Sequence, residues 1–133
     1  MNKTILLAAG ILGVLSVIIG AFAAHGLKPL ISAEALQTFE TGVRYQMYHS
    51  LFLLFVGGTS YINSKSKSVI LYLVVAGVIL FSGSIYGLAT NPLSGFDFKT
   101  IGFVTPIGGL LLILGWVVAI LSFLKIKNDK VKI

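Results

Sequence analysis

Four long apolar stretches fill most of this chain, and they constrain its fold more than any motif does. Ile5–Ala24 runs twenty residues without a charge, Val69–Ala89 twenty-one and Ile101–Leu124 twenty-four; a shorter stretch, Met47–Ile62, carries one ionisable group, His49. A helix needs roughly 20 apolar residues to cross about 30 Å of hydrocarbon. Charged residues make up 11% of the 133 positions, against roughly 25% in soluble domains, and the mean hydropathy is +0.99. A soluble core of this length has no room for so much apolar surface. The expectation is an all-α, polytopic membrane protein, a single domain over residues 1–133. Its four transmembrane helices are expected at about 5–24, 47–62, 69–89 and 101–124, with an interfacial or projecting helical segment before the second.

The charge pattern fits a bilayer rather than nucleic acid. The net charge is +6, but four of the ten basic residues (Lys125, Lys127, Lys130, Lys132) fall in the last nine positions, directly after an apolar span. Lys3, Lys65, Lys67 and those four lysines make seven on one side, while Lys28, Arg44 and Lys99 make three on the other. By the positive-inside rule both termini face the cytoplasm, and the expected location is the bacterial inner membrane. There is no cysteine, which excludes disulfides, thiolate catalysis and thiol metal sites. Lys3, an apolar run and Ala21-Phe22-Ala23 imitate a signal peptide. The run is about eighteen residues, longer than a 7–15-residue signal core, so an uncleaved first helix is expected.

Local signals divide the chain. Pro29 ends the first helix, and Ser32 followed by Glu34 is an N-terminal cap with a carboxylate in the first turn. From Ala33 the chain can run helical to Ile62, thirty residues or roughly 45 Å, with a bend expected near Gly42. Leu36, Phe39, Val43 and Met47 form an apolar stripe suited to the membrane surface. Asn63–Ser68 and Thr90–Thr100 read as polar loops, the second with Asn91-Pro92 and Ser94-Gly95 turn signals. Pro106, six residues into the last stretch, kinks its helix or marks where it starts. Small residues suggest helix seams: Gly13 and Gly20 in the first span, Gly83-xxx-Gly87 in the third, Gly108 and Gly115 in the fourth.

One polar cluster stands out. Glu40, Arg44, Tyr45, Gln46, Tyr48 and His49 crowd the approach to the second span, and His25 closes the first on the same side. Glu40 and Arg44 stand at i, i+4 in the favourable order for an ion pair. Tyr45 and Tyr48 suit an interfacial aromatic belt. His49 is expected to hydrogen-bond a neighbouring helix and His25 to sit at a helix C-terminus. Two histidines on adjacent helices could serve bis-imidazole haem ligation, but no second histidine pair or thiolate attachment motif accompanies them. Zinc would need Glu40 as a third ligand, and nothing in the spacing enforces it. No metal or cofactor is therefore expected. No carboxylate pair has acid/base spacing, so an enzyme is not expected either.

Gly20-Ala-Phe-Ala-Ala-His-Gly26, Tyr45-Gln-Met-Tyr-His49, Phe81-Ser-Gly-Ser-Ile-Tyr86 and Thr105-Pro-Ile-Gly-Gly109 through Gly115-Trp116 occur in that order. Together they resemble the small membrane proteins of the DUF423, or UPF0382, family, which includes the eukaryotic transmembrane protein 256. The resemblance spans almost the whole chain and implies four helices, without implying a reaction, substrate or cofactor. It marks His25, Gln46, His49, Ser82, Tyr86, Thr105 and Pro106 as motif positions without roles. Arg44 and the lysine-rich tail are features of this member. The function class expected is a structural or accessory membrane protein acting through helix contacts with the bilayer, a second copy or another membrane protein. The alternative is a small transporter or ligand-binding protein using the His/Tyr/Arg cluster.

Overall fold

The computed structural model describes residues 2–127; Lys130 and Lys132, which enter the charge count above, lie outside the described residues. The chain is all-helical. Helix α1 spans Asn2–Phe22 and is extended by one π-helical turn, Ala23–Leu27; α2 spans Ala33–Gly58, α3 Ser64–Ala89 and α4 Val104–Leu124. Three of these are long and apolar enough to cross a membrane: α1 with its extension, α3 and α4. Helix α2 carries Glu34, Glu40 and Arg44 in its first half and is the most polar of the four.

Several boundaries differ from those expected, each for a local reason. Helix α2 ends at Gly58 rather than Ile62, because Gly57-Gly58 are poor helix formers and Thr59 is extended. Helix α3 begins at Ser64, not Val69: Asn63 caps it, its side chain accepting from the Ser66 amide at 2.8 Å, so the lysine-bearing "loop" is the first helical turn. Helix α4 begins at Val104, three residues later than expected, with Pro106 in its first turn, where no intrahelical N–H is needed. The Ser32 cap holds as expected, accepting from the Ala35 amide at 3.0 Å.

Consecutive helices pack antiparallel. Helix α1 meets α2 from Ile5 and Leu6 against Gly57 to Gly20 against Val43. Helix α3 meets α4 from Val74 against Gly115 to Ser84 against Thr105. The start of α1, the end of α2, the start of α3 and the end of α4 therefore share one end, here the lysine-rich end. The short turn after α1 and the Thr90–Phe103 connection share the other, the loop end. The main core joins Ile5 and Ala9 of α1, Phe52, Leu53 and Val56 of α2, Val74 and Val78 of α3, and Leu112 and Ala119 of α4. A second cluster at the loop end joins Ala23, Leu27, Phe39 and Ala89. Phe39, with Leu36 and Val43 beside it, thus packs on α1 and α3. The segment expected at the membrane surface is the first half of an unbroken α2.

The seams are built on different glycines from those expected, in part. At Gly108 an added Cβ would run into the Phe81 backbone nitrogen, and at Gly77 one would lie 2.7 Å from Leu112, so α3 and α4 touch nearly backbone to backbone. Gly115 lies against Val74, Gly13 against Ser50 and Gly20 against Val43. Gly83 is exposed, with nothing near the position of its missing Cβ, and Gly87 makes room for Phe98, in the short 3-10 turn of the α3–α4 connection, rather than for α4. Gly42, where a bend was expected, lies inside α2 and admits Tyr86, whose ring would be 2.7 Å from an added Cβ. The i, i+4 spacing of Gly83 and Gly87 resembled a seam but faces away from α4.

Gly108→Ala should destabilise the protein by about 1–3 kcal/mol, because the obstructing atoms are backbone and do not yield. Gly83→Leu should change stability by less than about 0.5 kcal/mol. Thermal unfolding of both variants in one detergent checks the pair; equal losses would refute the seam.

Candidate functional site

The residues singled out from the sequence divide into two groups. His25 lies exposed in the π-helical turn at the loop end. Glu40 and Arg44 are exposed on α2, and Arg44 donates to the Thr41 hydroxyl at 3.0 Å instead of pairing with Glu40. An exposed ion pair gains only about 0.2–1 kcal/mol, so the guanidinium loses little by choosing the hydroxyl. Tyr45 and Tyr48 are partly exposed, with ring centroids 5.6 Å apart, and Tyr45 also covers Phe81 at 5.1 Å.

Gln46 and His49 belong to the interior. Gln46 is buried; its amide nitrogen donates to the Leu12 carbonyl of α1 at 3.0 Å, and its amide oxygen accepts from the Tyr86 hydroxyl of α3 at 2.7 Å. One turn on, the Ser50 hydroxyl donates to the Ala9 carbonyl at 2.7 Å, in the space that Gly13 leaves. From the other side, the Ser82 hydroxyl donates to the Gly42 carbonyl at 2.7 Å. The Ser84 and Thr105 hydroxyls meet across α3 and α4. These contacts link all four helices in sequence.

His49 adds a further link. Its Nε2 accepts from the Trp116 indole N–H of α4 at 3.0 Å, and its Nδ1 lies 2.7 Å from the Tyr45 carbonyl one turn back. An indole nitrogen only donates and a carbonyl only accepts. The two contacts together therefore place the single ring proton on Nδ1. Phe52 stacks on Trp116 with centroids 3.9 Å apart and a 16° interplanar angle. His49 was expected near the loop-end boundary, tying α2 to α1. Instead it ties α2 to α4 at depth: Trp116 is twelve residues, about 18 Å, along α4 from its start. On the α1 side the same level is that of Gly13, again about 18 Å from His25. The two histidines do not face each other. Among the described residues no three His, Asp or Glu side chains are grouped to hold a metal ion, and every buried side-chain nitrogen or oxygen has a hydrogen-bond partner.

Sequence reasoning missed Ser50, Trp116, Gly42 and Gly77 as contact residues. Trp116 stood out only as the end of a motif, and no spacing rule links positions 49 and 116. Ser50 beside the His49 motif carries no signal by itself, since serine is common in membrane helices.

An all-helical membrane protein with an interior polar network is the class these features define. The family described as "Protein of unknown function (DUF423)" matches residues 19–109, and the chain belongs to that family. It is 43% identical over 109 residues to a UPF0382 membrane protein of Staphylococcus aureus, covering 80% of this chain and 83% of that one. It is 40% identical over 126 residues to a UPF0382 membrane protein of Staphylococcus haemolyticus, covering 92% and 97%. With the UPF0382 membrane protein YwdK of Bacillus subtilis the identity is 37% over 125 residues, covering 92% and 98%. No solved structure matches the chain.

Tyr86→Phe should lower stability by about 1 kcal/mol, since it leaves the Gln46 amide oxygen without its donor. In a double-mutant cycle with Gln46→Leu, a coupling of about 0.6 kcal/mol is expected, the average for interhelical hydrogen bonds in membranes. Additive losses would show that the two side chains do not interact.

Proposed function

We propose that this is a four-span, non-enzymatic membrane protein with a structural or accessory role, acting through helix contacts in the bilayer, with both termini cytoplasmic. The observation that carries the reading is how the polar side chains are used. Gln46, His49, Ser82, Tyr86 and Thr105, all positions of the family motifs, are engaged in bonds between or along helices. Both ring nitrogens of His49 are occupied, which leaves no lone pair for a ligand. Large apolar side chains meanwhile remain uncovered on α1 (Ile11, Val14, Ile18) and α4 (Ile113, Ile120, Leu124). Such faces suit lipid, a second copy or another membrane protein.

Helix α2 crosses with the others because it packs between α1 and α3 along its length, from Gly57 beside Ile5 to Phe39 beside Leu27 and Ala89. Its charged residues all lie in its first half, near the loop end. The transport reading asks His25, Glu40, Arg44, Tyr45 and His49 to converge on one ligand. Tyr45 and His49 line one cavity with Phe81 and Trp116, but the exposed His25, Glu40 and Arg44 take no part in it, which argues against that reading.

Two measurements test the proposal. The chain has no native cysteine, so single thiols report topology cleanly. A thiol at Ser64 should react only with membrane-permeant reagents in intact cells and one at Ser94 with impermeant ones; the reverse pattern would overturn the orientation. A photoreactive side chain placed at Ile11 or Ile113 should give discrete protein–protein adducts in cells. If only uncrosslinked protein is recovered from both positions, these faces meet lipid alone and the accessory role fails.

A further inference from the structure

The lysine-rich end of the bundle carries a half-polar pocket that the helix contacts leave open. Ser60, Tyr61 and Asn63 of the α2–α3 turn form one wall, Ser122 near the end of α4 with Lys125, Ile126 and Lys127 just beyond it the other, around a volume of about 380 Å³. Among the described residues its charge has one sign. The three described carboxylates, Glu34, Glu40 and Asp97, all lie toward the loop end. Neither Lys125 nor Lys127 therefore has a counter-ion among the described residues. The side chains of Ser60 and Tyr61 are exposed. Asn63 uses its oxygen to cap Ser66, so its amide N–H groups remain as donors. Ser122 turns its hydroxyl to the Val118 carbonyl of its own helix.

On α4 itself the surface changes abruptly. Leu121, one turn before Lys125 on the same helical face, is exposed, as is Leu124 farther round the helix. The Lys125 ammonium thus borders bare hydrocarbon surface. A soluble anion would use only the donors, whereas a lipid uses both layers. We propose that this pocket holds the phosphate of an anionic phospholipid whose acyl chains lie along α4. The lysines supply attraction to the net negative charge, and the serine, tyrosine and asparagine donors supply geometry. The site does not depend on which side of the membrane this end faces, so it stands or falls separately from the topology proposed above.

Purified full-length protein in detergent, titrated with phosphatidylglycerol and with phosphatidylcholine of the same chains, tests the site by native mass spectrometry. Phosphatidylglycerol should be retained at least tenfold more tightly. The double substitution Lys125→Gln/Lys127→Gln should weaken its retention roughly 30-fold, while Lys28→Gln/Lys99→Gln, at the opposite end, should leave it unchanged. Ser60→Ala/Tyr61→Phe, which alters no charge, should weaken retention several-fold. Equal retention of the two lipids, or a preference that survives Lys125→Gln/Lys127→Gln, would overturn the proposal. Indifference to Ser60→Ala/Tyr61→Phe would show diffuse attraction instead of a pocket. Displacement of the lipid by equimolar glycerol phosphate would show that a free phosphate is the occupant.

Discussion

Three helix carbonyls, those of Ala9, Leu12 and Gly42, each accept a hydrogen bond from a side chain of a neighbouring helix in addition to the backbone bond of their own, and the arrangement of α1, α2 and α3 follows from that. A carbonyl oxygen has two lone pairs, only one of which the helix backbone uses. Reaching the second from outside requires the donor helix to come very close. Glycine makes the approach feasible: Gly13 leaves room for Ser50, and Gly42 lets Tyr86 lie against α2 while its own carbonyl receives Ser82. Lipid offers helices no hydrophobic reason to associate, so close packing and these bonds supply what water would supply in a soluble core. A serine left unbonded in that interior would cost more than the bond itself gains.

Helix α2 is the element on which the others depend, although it is the least apolar. It receives α1 on the side of Gln46 and Ser50, α3 on the side of Gly42 and Tyr86, and α4 through His49 and Phe52. Its polar residues are what a central helix needs and a lipid-facing one avoids. The pair α3–α4 is held differently, by the near contact of backbones at Gly77 and Gly108 with one hydroxyl pair at the loop end. Shape holds that seam and polar bonds hold the other two.

The class of fold was legible in the sequence because hydrocarbon length is a blunt requirement that apolar runs meet visibly. Pro106, Ser32 and Pro29 were legible too, since each acts through its own backbone. Asn63 could have been read as a cap and was passed over in favour of the two lysines beside it. The glycine seams were only half legible: spacing shows that Gly83 and Gly87 share a face, not which face meets α4. His49 was misplaced in depth because a histidine in a half-polar helix resembles a boundary residue until its partner is known. Trp116 lies sixty-seven positions away, beyond any local rule.

The position of His49 also bears on how an ionisable residue survives inside a membrane. Such groups are costly and by default suggest function. Here the tautomer is fixed from both sides, by a donor-only indole at Nε2 and an acceptor-only carbonyl at Nδ1. A second proton on Nε2 would have to displace Trp116, whose ring is also held by its stack on Phe52. The imidazole therefore behaves as a neutral linker, its one donor used within α2 and its one acceptor used toward α4. Asparagine is too short to span from α2 to the Trp116 indole while keeping the carbonyl one turn back, and a flexible amide would lack the aromatic faces that meet Phe52 and Tyr45. Histidine at this position is explained by reach and shape, and its ability to titrate is incidental to both.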